Sequence, residues 1–246
     1  MQQMELIALD PQKLALDAAK KYKVDVDKKY TKQTFLKLVK KRSPSDKHKF
    51  YKLSKSLEEL AISLTQDEYN MLVEMYAFRF YFGHSVITAE SLAQICKFVG
   101  TSKVLEIGAG NGYIGFAMKL SGIDIVLTDI QFNDYPSLKM IGKQPWTEII
   151  EMDNITALKK YTDVDCLMLI WPPPGSAMAY DSLRKFNGSK FIYIGEWVGG
   201  QSGTIDFFNE LKDKWTREEK FTIPNFIATF DEIHLFTRKK KINQLF

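Results

Sequence analysis

Val104-Leu105-Glu106-Ile107-Gly108-Ala109-Gly110-Asn111-Gly112-Tyr113 decides the fold of this chain: a short apolar run enters a glycine loop and leaves it into a second apolar stretch, Ile114 to Leu120. The first run reads as a buried strand and the second as a helix. Glycine is needed where a backbone turns sharply and where a ligand must touch it, because a Cβ blocks both. The loop therefore marks a ligand-facing turn between a strand and a helix.

Working outward, residues 103 to 237 alternate short apolar runs with helical or loop stretches, the pattern of a parallel α/β sheet. Strands are expected at 103–107, 124–128, 148–151, 166–170 and 191–194. Most of these runs lack strict alternation, as strands covered on both faces do. A helix over 204–215 precedes two more strands, Lys220 to Ile223 and Glu232 to Thr237, joined through Pro224-Asn225. So short a connection favours an antiparallel pair. Ahead of the glycine loop, Thr88 caps a helix from Ala89 to Phe98 that Gly100 ends.

Three features narrow the ligand. Tyr113 stands where a dinucleotide fingerprint would carry its third glycine. Glu106, two residues before Gly108, places a carboxylate beside the loop, which repels a pyrophosphate and favours a cationic ligand. Asp129 closes the second strand 21 residues after Gly108, about the spacing at which an acid reaches ribose hydroxyls.

Glu106 to Gly112 together with Asp129 resemble the first motif and the following acidic motif of class I, Rossmann-like S-adenosylmethionine-dependent methyltransferases. The resemblance extends over about residues 88 to 240 and implies a seven-stranded, mostly parallel sheet with an antiparallel C-terminal hairpin. It implies S-adenosyl-L-methionine as cofactor, bound by Glu106, Gly108, Ala109, Gly110, Asn111, Gly112, Asp129, Ile130, Asp153 and Asn154. In that scheme Gly108 and Gly110 line the methionine and ribose, Asp129 holds the ribose diol, and Asp153-Asn154 approach the adenine. Asp153 also has the chemistry of a cap for a helix from Ile155 to Lys160.

The acceptor side is expected at the next strand ends. Trp171-Pro172-Pro173-Pro174 forms a rigid turn after the fourth strand, where ligands of open α/β sheets bind. It partly resembles the Asn-Pro-Pro-aromatic motif of amino-group methyltransferases, in which an amide and a proline carbonyl hold the target nitrogen. Trp171 stands in the amide's place, and indole donates a hydrogen bond but accepts none. Trp-Pro-Pro with Ile194-Gly195-Glu196 also resembles a methyltransferase subgroup without an assigned substrate. Glu196 is a base or cation anchor, or else a ligand of loop amides. Trp171 and Pro172 are acceptor contacts, or else a structural turn. His84, beside Tyr81 and Phe82 ahead of the first helix of the sheet domain, is a base or a core residue.

The rest of the chain bounds the setting. Residues 1 to 60 hold 15 Lys and Arg against 8 Asp and Glu, a net +7, and the remainder holds 19 against 22, a net −3. Helices are expected near 11–19, 31–41, 53–61 and 65–76, so residues 1–64 read as a basic helical extension before a catalytic domain at 65–246. Lysines interleaved with Tyr22, Tyr30, Phe50 and Tyr51 suit either nucleic acid or a solvated face. Cys96 and Cys166 lack metal or redox spacing and read as buried thiols, and His48, His84 and His234 are scattered, so no metal is expected. No secretory signal or membrane span is legible, which points to the cytoplasm. The expected activity is methyl transfer to an unassigned acceptor. The alternatives are adenine-amino methylation of nucleic acid through the Trp-Pro-Pro-Pro turn, an inactive cofactor-binding scaffold and, as a minor option, aminopropyl transfer.

Overall fold

The computed structural model describes Met75, Phe78, Arg79 and residues 82–130, 145–198, 200–226 and 229–240. The extension at 1–64, its basic clusters, the helices expected near 11–19, 31–41 and 53–61, and most of the one at 65–76 lie outside the described residues. So does Tyr81.

The first complete helix, α1 (Ala89–Val99), begins where the sequence placed it. Thr88 Oγ1 accepts from the Ser91 amide at 3.1 Å and Ser91 Oγ accepts from the Thr88 amide at 2.9 Å, a reciprocal cap of two otherwise unpaired donors. Gly100 ends the helix at φ +60°, a conformation that side chains with a Cβ resist.

The remaining elements are β1 (Val104–Ile107), α2 (Tyr113–Leu120), β2 (Ile125–Asp129), β3 (Ile150–Glu151), α3 (Asn154–Lys160), β4 (Cys166–Ile170), α4 (Met178–Lys185), β5 (Lys190–Glu196), α5 (Ile205–Lys214), β6 (Trp215–Thr222) and β7 (Asp231–Arg238). They form one seven-stranded sheet in the order β3-β2-β1-β4-β5-β7-β6. Strands β1 to β5 pair in parallel, while β7 is inserted antiparallel between β5 and β6. The expected mostly parallel sheet with its antiparallel C-terminal hairpin is therefore present. Strand order reverses between β1 and β4, and a crevice opens at the carboxyl ends of the strands at such a point.

Period-two alternation distributes β1 between two cores. On one face Val104 joins Ile95 and Val99 of α1, Ile114 and Met118 of α2, and Leu127 of β2. On the other, Leu105 joins Ala157 of α3, Leu183 of α4, and Phe207 and Leu211 of α5. Helical residues ahead of α1 close the first core: Phe82 lies 5.0 Å from Tyr113, and Phe78 lies 5.1 Å from Phe226 in the β6–β7 link. No helix among the described residues is long and apolar enough to cross a membrane.

Three expectations need correction. Strand β6 starts at Trp215 rather than Lys220; as an edge strand it buries only Trp215, so Thr216 to Lys220 are exposed and carry no apolar alternation. Helix α4 was not foreseen, because it has no side-chain cap and buries only Ala179, Ser182 and Leu183. Cys166 is buried as expected, whereas Cys96 is half-buried beside Ser121 at the end of α2.

Candidate functional site

The glycine loop between β1 and α2 holds Gly108, Gly110 and Gly112 at φ +72°, +57° and +72°. This left-handed backbone explains the residue type at each position. At Gly112 a Cβ would also come within 3.2 Å of Ile149 Cδ1 and 3.3 Å of Leu127 Cδ2.

The loop's amides are turned inward. Those of Gly108 and Ala109 donate to the Thr128 carbonyl at 2.9 and 3.1 Å, and that of Gly112 donates to the Ala109 carbonyl at 2.9 Å. Gly110 donates to Asp129 Oδ2 at 2.9 Å, and Tyr113 donates to Asn111 Oδ1 at 3.1 Å. A phosphate-binding loop presents such donors to its ligand. Here they tie the loop to β2 and to its own helix.

Two acids flank the loop. Asp129, at the end of β2, is buried to 6% exposure, and Glu106, in β1, to 1%. Glu106 Oε2 has no hydrogen-bond partner, and the side chain leans against α2, where a Cβ on Gly115 would lie 2.5 Å from that oxygen. Burial, with the Asp129 charge adding to it and Lys119 opposing, pushes the Glu106 pKa up to about 8. The loop thus has one acid beside it and a second, deeper acid that is largely protonated near neutrality.

The other expected cofactor residues fall around this pair. Ile130 follows Asp129 and leaves 59% of its apolar side chain exposed. Asn111 is a bracket: its side chain accepts from the Tyr113 amide at the start of α2 and its carbonyl accepts from the Trp146 amide at 2.9 Å. Asp153 caps α3, with Oδ1 accepting from the Ile155 and Thr156 amides at 2.9 and 3.0 Å and Oδ2 accepting from Thr156 Oγ1 at 2.5 Å. Asn154 Nδ2 donates to the Met178 carbonyl and Ser182 Oγ, which ties α3 to α4.

On the acceptor side the structure brings Trp171, Pro172 and Glu196 together. Trp171 follows β4 at φ +48°, the one left-handed non-glycine conformation among the described residues, and its amide donates to the Ile194 carbonyl at 2.8 Å. The Pro172 carbonyl accepts from the Gly203 amide at 2.7 Å, which fastens this turn to the loop after β5. Glu196 is that loop's anchor: Oε2 accepts from the Gln201 amide at 2.6 Å and Oε1 from the Phe230 amide at 3.0 Å. Tyr193 Oη donates to the Glu196 carbonyl, and Ser202 Oγ sits between that tyrosine and the Glu196 backbone. Trp197 turns into the α5 core and stacks on His234 at 4.2 Å.

His84 reaches the same edge, its ring 5.3 Å from that of Trp171 and nearly parallel to it. It keeps an open edge to solvent. The protein crowded around the ring, with the Arg79 guanidinium beside it, lowers its pKa to about 4, so the imidazole is neutral at pH 7.

One residue here escaped sequence reasoning. Asp231 opens β7 directly opposite Glu196, is 2% exposed, and accepts from Ser85 Oγ at 2.9 Å. An acid at the start of an amphipathic strand reads as a turn residue; only the antiparallel insertion of β7 carries it to the carboxyl ends of the parallel strands. Among the described residues no group of three or more His, Cys, Asp or Glu is placed to hold a metal ion.

No family model matches the chain, and no curated protein matches it. Similar solved structures include Sp1610 from Streptococcus pneumoniae, at 15% identity over 63% of this chain and 72% of that one, TM-score 0.43. Another is TehB from Haemophilus influenzae, at 15% identity over 68% and 67%, TM-score 0.43. A third is magnesium protoporphyrin IX methyltransferase (ChlM) from Synechocystis PCC 6803 with bound S-adenosylhomocysteine, at 12% identity over 61% and 80%, TM-score 0.43. At such identities the likeness is one of fold.

Proposed function

We propose that this protein is an S-adenosyl-L-methionine-dependent methyltransferase whose cofactor lies over the β1 and β2 ends. The observation that carries the reading is the glycine loop flanked by Glu106 and Asp129, with the amides of Gly108, Ala109, Gly110, Gly112 and Tyr113 all engaged within the chain. Such a site offers carboxylates and bare backbone rather than a nest of donors. It suits a nucleoside bearing an ammonium and a sulfonium and disfavours a pyrophosphate.

The residues present fit that group. Glu106 Oε2, buried without a partner, becomes the anionic acceptor an ammonium needs once it gives up its proton. Asp129, braced by Gly110, is positioned for ribose hydroxyls, and Ile130 offers an exposed apolar surface for a base. When bound, S-adenosyl-L-methionine supplies an electrophilic methyl on sulfur. The chain's own contribution is alignment of the acceptor nucleophile with that methyl, which accounts for much of a barrier of this kind. His84 presents a neutral imidazole at this edge, which burial and Arg79 make a weak base. The free thiols Cys96 and Cys166 suit the cytoplasmic setting expected from the sequence.

Amino-group methylation through the Trp-Pro-Pro-Pro turn would rest on the Pro172 carbonyl, which keeps a lone pair beyond its bond from Gly203, since Trp171 offers no acceptor. The test is calorimetric titration with S-adenosylmethionine, NAD and ATP in parallel. Micromolar binding of the first alone is expected, and equal or tighter binding of NAD would sink the reading. Formation of S-adenosylhomocysteine in the presence of fractionated cell extract then separates an enzyme from an inactive scaffold.

A further inference from the structure

Asp231 has no role in the reading above, yet three chain segments meet at its carboxylate. Oδ2 accepts from Ser85 Oγ at 2.9 Å, in the corner that carries His84. Oδ1 is buried without a hydrogen-bond partner, and so is Trp171 Nε1. These two side chains interact, the indole N–H favouring the charged carboxylate, but they stop short of a well-formed hydrogen bond. The backbone is fixed from a fourth side: the Asp231 amide donates to Asn225 Oδ1, and Asn225 Nδ2 donates to the Asp231 carbonyl at 3.3 Å.

We infer that Asp231 is the positioning residue of the acceptor side: it holds the Trp171 turn and the His84-Ser85 corner against each other, and so sets the wall that faces the transferred methyl. The inference rests on the methyltransfer reading for the identity of that wall. Trp171 needs such a support. A left-handed tryptophan is strained by its Cβ, and the bond from its amide to Ile194 restrains only the backbone. The indole is held by what surrounds it, namely the His84 ring and the Arg79 guanidinium 5.6 Å from its centroid, with its buried N–H and Asp231 Oδ1 left as a donor and an acceptor without formed bonds.

The charged and titratable groups facing Asp231 are Glu196 and Tyr193 from β5, Arg79 from the helical residues ahead of α1, and His84 next to Ser85. Burial raises the Asp231 pKa to about 6 and Glu196 adds to the rise, while Ser85, Trp171 and Arg79 oppose it. The carboxylate is therefore the anion that attracts the indole N–H near neutrality and is discharged by mild acid.

The test observes the indole N–H resonances of the full-length protein labelled with ¹⁵N-tryptophan, Trp171 being identified by its absence in Trp171→Phe. Between about pH 8 and pH 5 the Trp171 resonance is expected to move in one transition with a midpoint near 6. Asp231→Asn should abolish it, and Ser85→Ala, which removes a bond to the carboxylate, should move the midpoint upward. At saturation, S-adenosylmethionine and S-adenosylhomocysteine should place the Trp171 resonance differently in the wild type and identically in Asp231→Asn, although that variant binds both within about twofold of wild type.

A Trp171 resonance that ignores pH, or a transition that survives in Asp231→Asn, overturns the inference. Should Asp231→Asn fail to fold, the Ser85→Ala midpoint decides, and an unmoved midpoint counts against it. An intact transition in a protein that binds no S-adenosylmethionine removes the methyltransfer reading while leaving the Asp231–Trp171 contact established.

Discussion

The Gly110 amide donates to Asp129 Oδ2 at 2.9 Å, so the acid that closes β2 and the turn that follows β1 are one mechanical unit. On the proposed function, removing the carboxylate takes away a group meant for the ribose and loosens the loop at the same time. A charge-assisted hydrogen bond contributes roughly 1.5–3 kcal/mol. Asp129→Ala should therefore weaken S-adenosylmethionine binding by about ten- to a hundredfold in calorimetry, with Asp129→Asn between it and wild type. Unchanged affinity in the alanine variant would sink the site assignment.

Glu106 also links cofactor binding to a proton. Its pKa, raised from 4.5 to about 8 by burial, leaves the carboxyl mostly protonated at pH 7. The stability this group contributes is fully present below pH 4.5 and is lost as pH rises through about 8, because the folded state holds the proton more tightly. Glu106→Gln should gain stability relative to wild type between about pH 6 and pH 9, followed by urea denaturation. An arriving ammonium favours the ionised carboxylate. Calorimetry in buffers of different ionisation enthalpy should then show proton release at pH 7 in the wild type and none in Glu106→Gln.

Gly115 is the floor beneath that acid. A Cβ there would lie 2.4 Å from Leu127 Cδ2 and 2.5 Å from Glu106 Oε2, in a helix whose backbone is otherwise compatible with alanine. Overpacking of this kind costs about 1–3 kcal/mol. Gly115→Ala should lower the urea midpoint accordingly and, by displacing Glu106, weaken cofactor binding; a midpoint equal to or above that of wild type would contradict the packing described.

Glu196 separates support from chemistry. Replacing it with alanine removes the acceptor of the Gln201 and Phe230 amides, which now donate to its carboxylate. Each hydrogen bond to this buried carboxylate contributes about 1–3 kcal/mol. Glu196→Ala should be destabilised by about 2–4 kcal/mol in urea denaturation, and Glu196→Gln, which keeps one acceptor, by about half as much. S-adenosylmethionine affinity should stay within about twofold in both, since the cofactor loop lies on the other side of β4.

Legibility followed the range of the interactions involved. Thr88, the strand of residues 104–107, the three glycines and the Asp129 spacing were readable because caps, left-handed turns and buried strands each depend on residues a few positions apart. Asp153 carried two readings from the start, and its bonds to Ile155 and Thr156 form within its own helix turn. Edge strand β6 was half-hidden, since its exposed residues owe their conformation to pairing with β7 rather than to any pattern of their own.

The sequence by itself determined a parallel α/β sheet, a glycine loop that excludes a dinucleotide fingerprint, and the pair Glu106 and Asp129 beside it. Only the tertiary structure decided that the loop's amides are engaged internally, that Glu196 anchors a loop, and that Asp231 lies opposite it, 35 residues further along the chain. Local backbone geometry is written in short stretches of residues. The partner of a buried carboxylate is set instead by which distant strand the sheet places beside it, and here the antiparallel insertion of β7 made that choice.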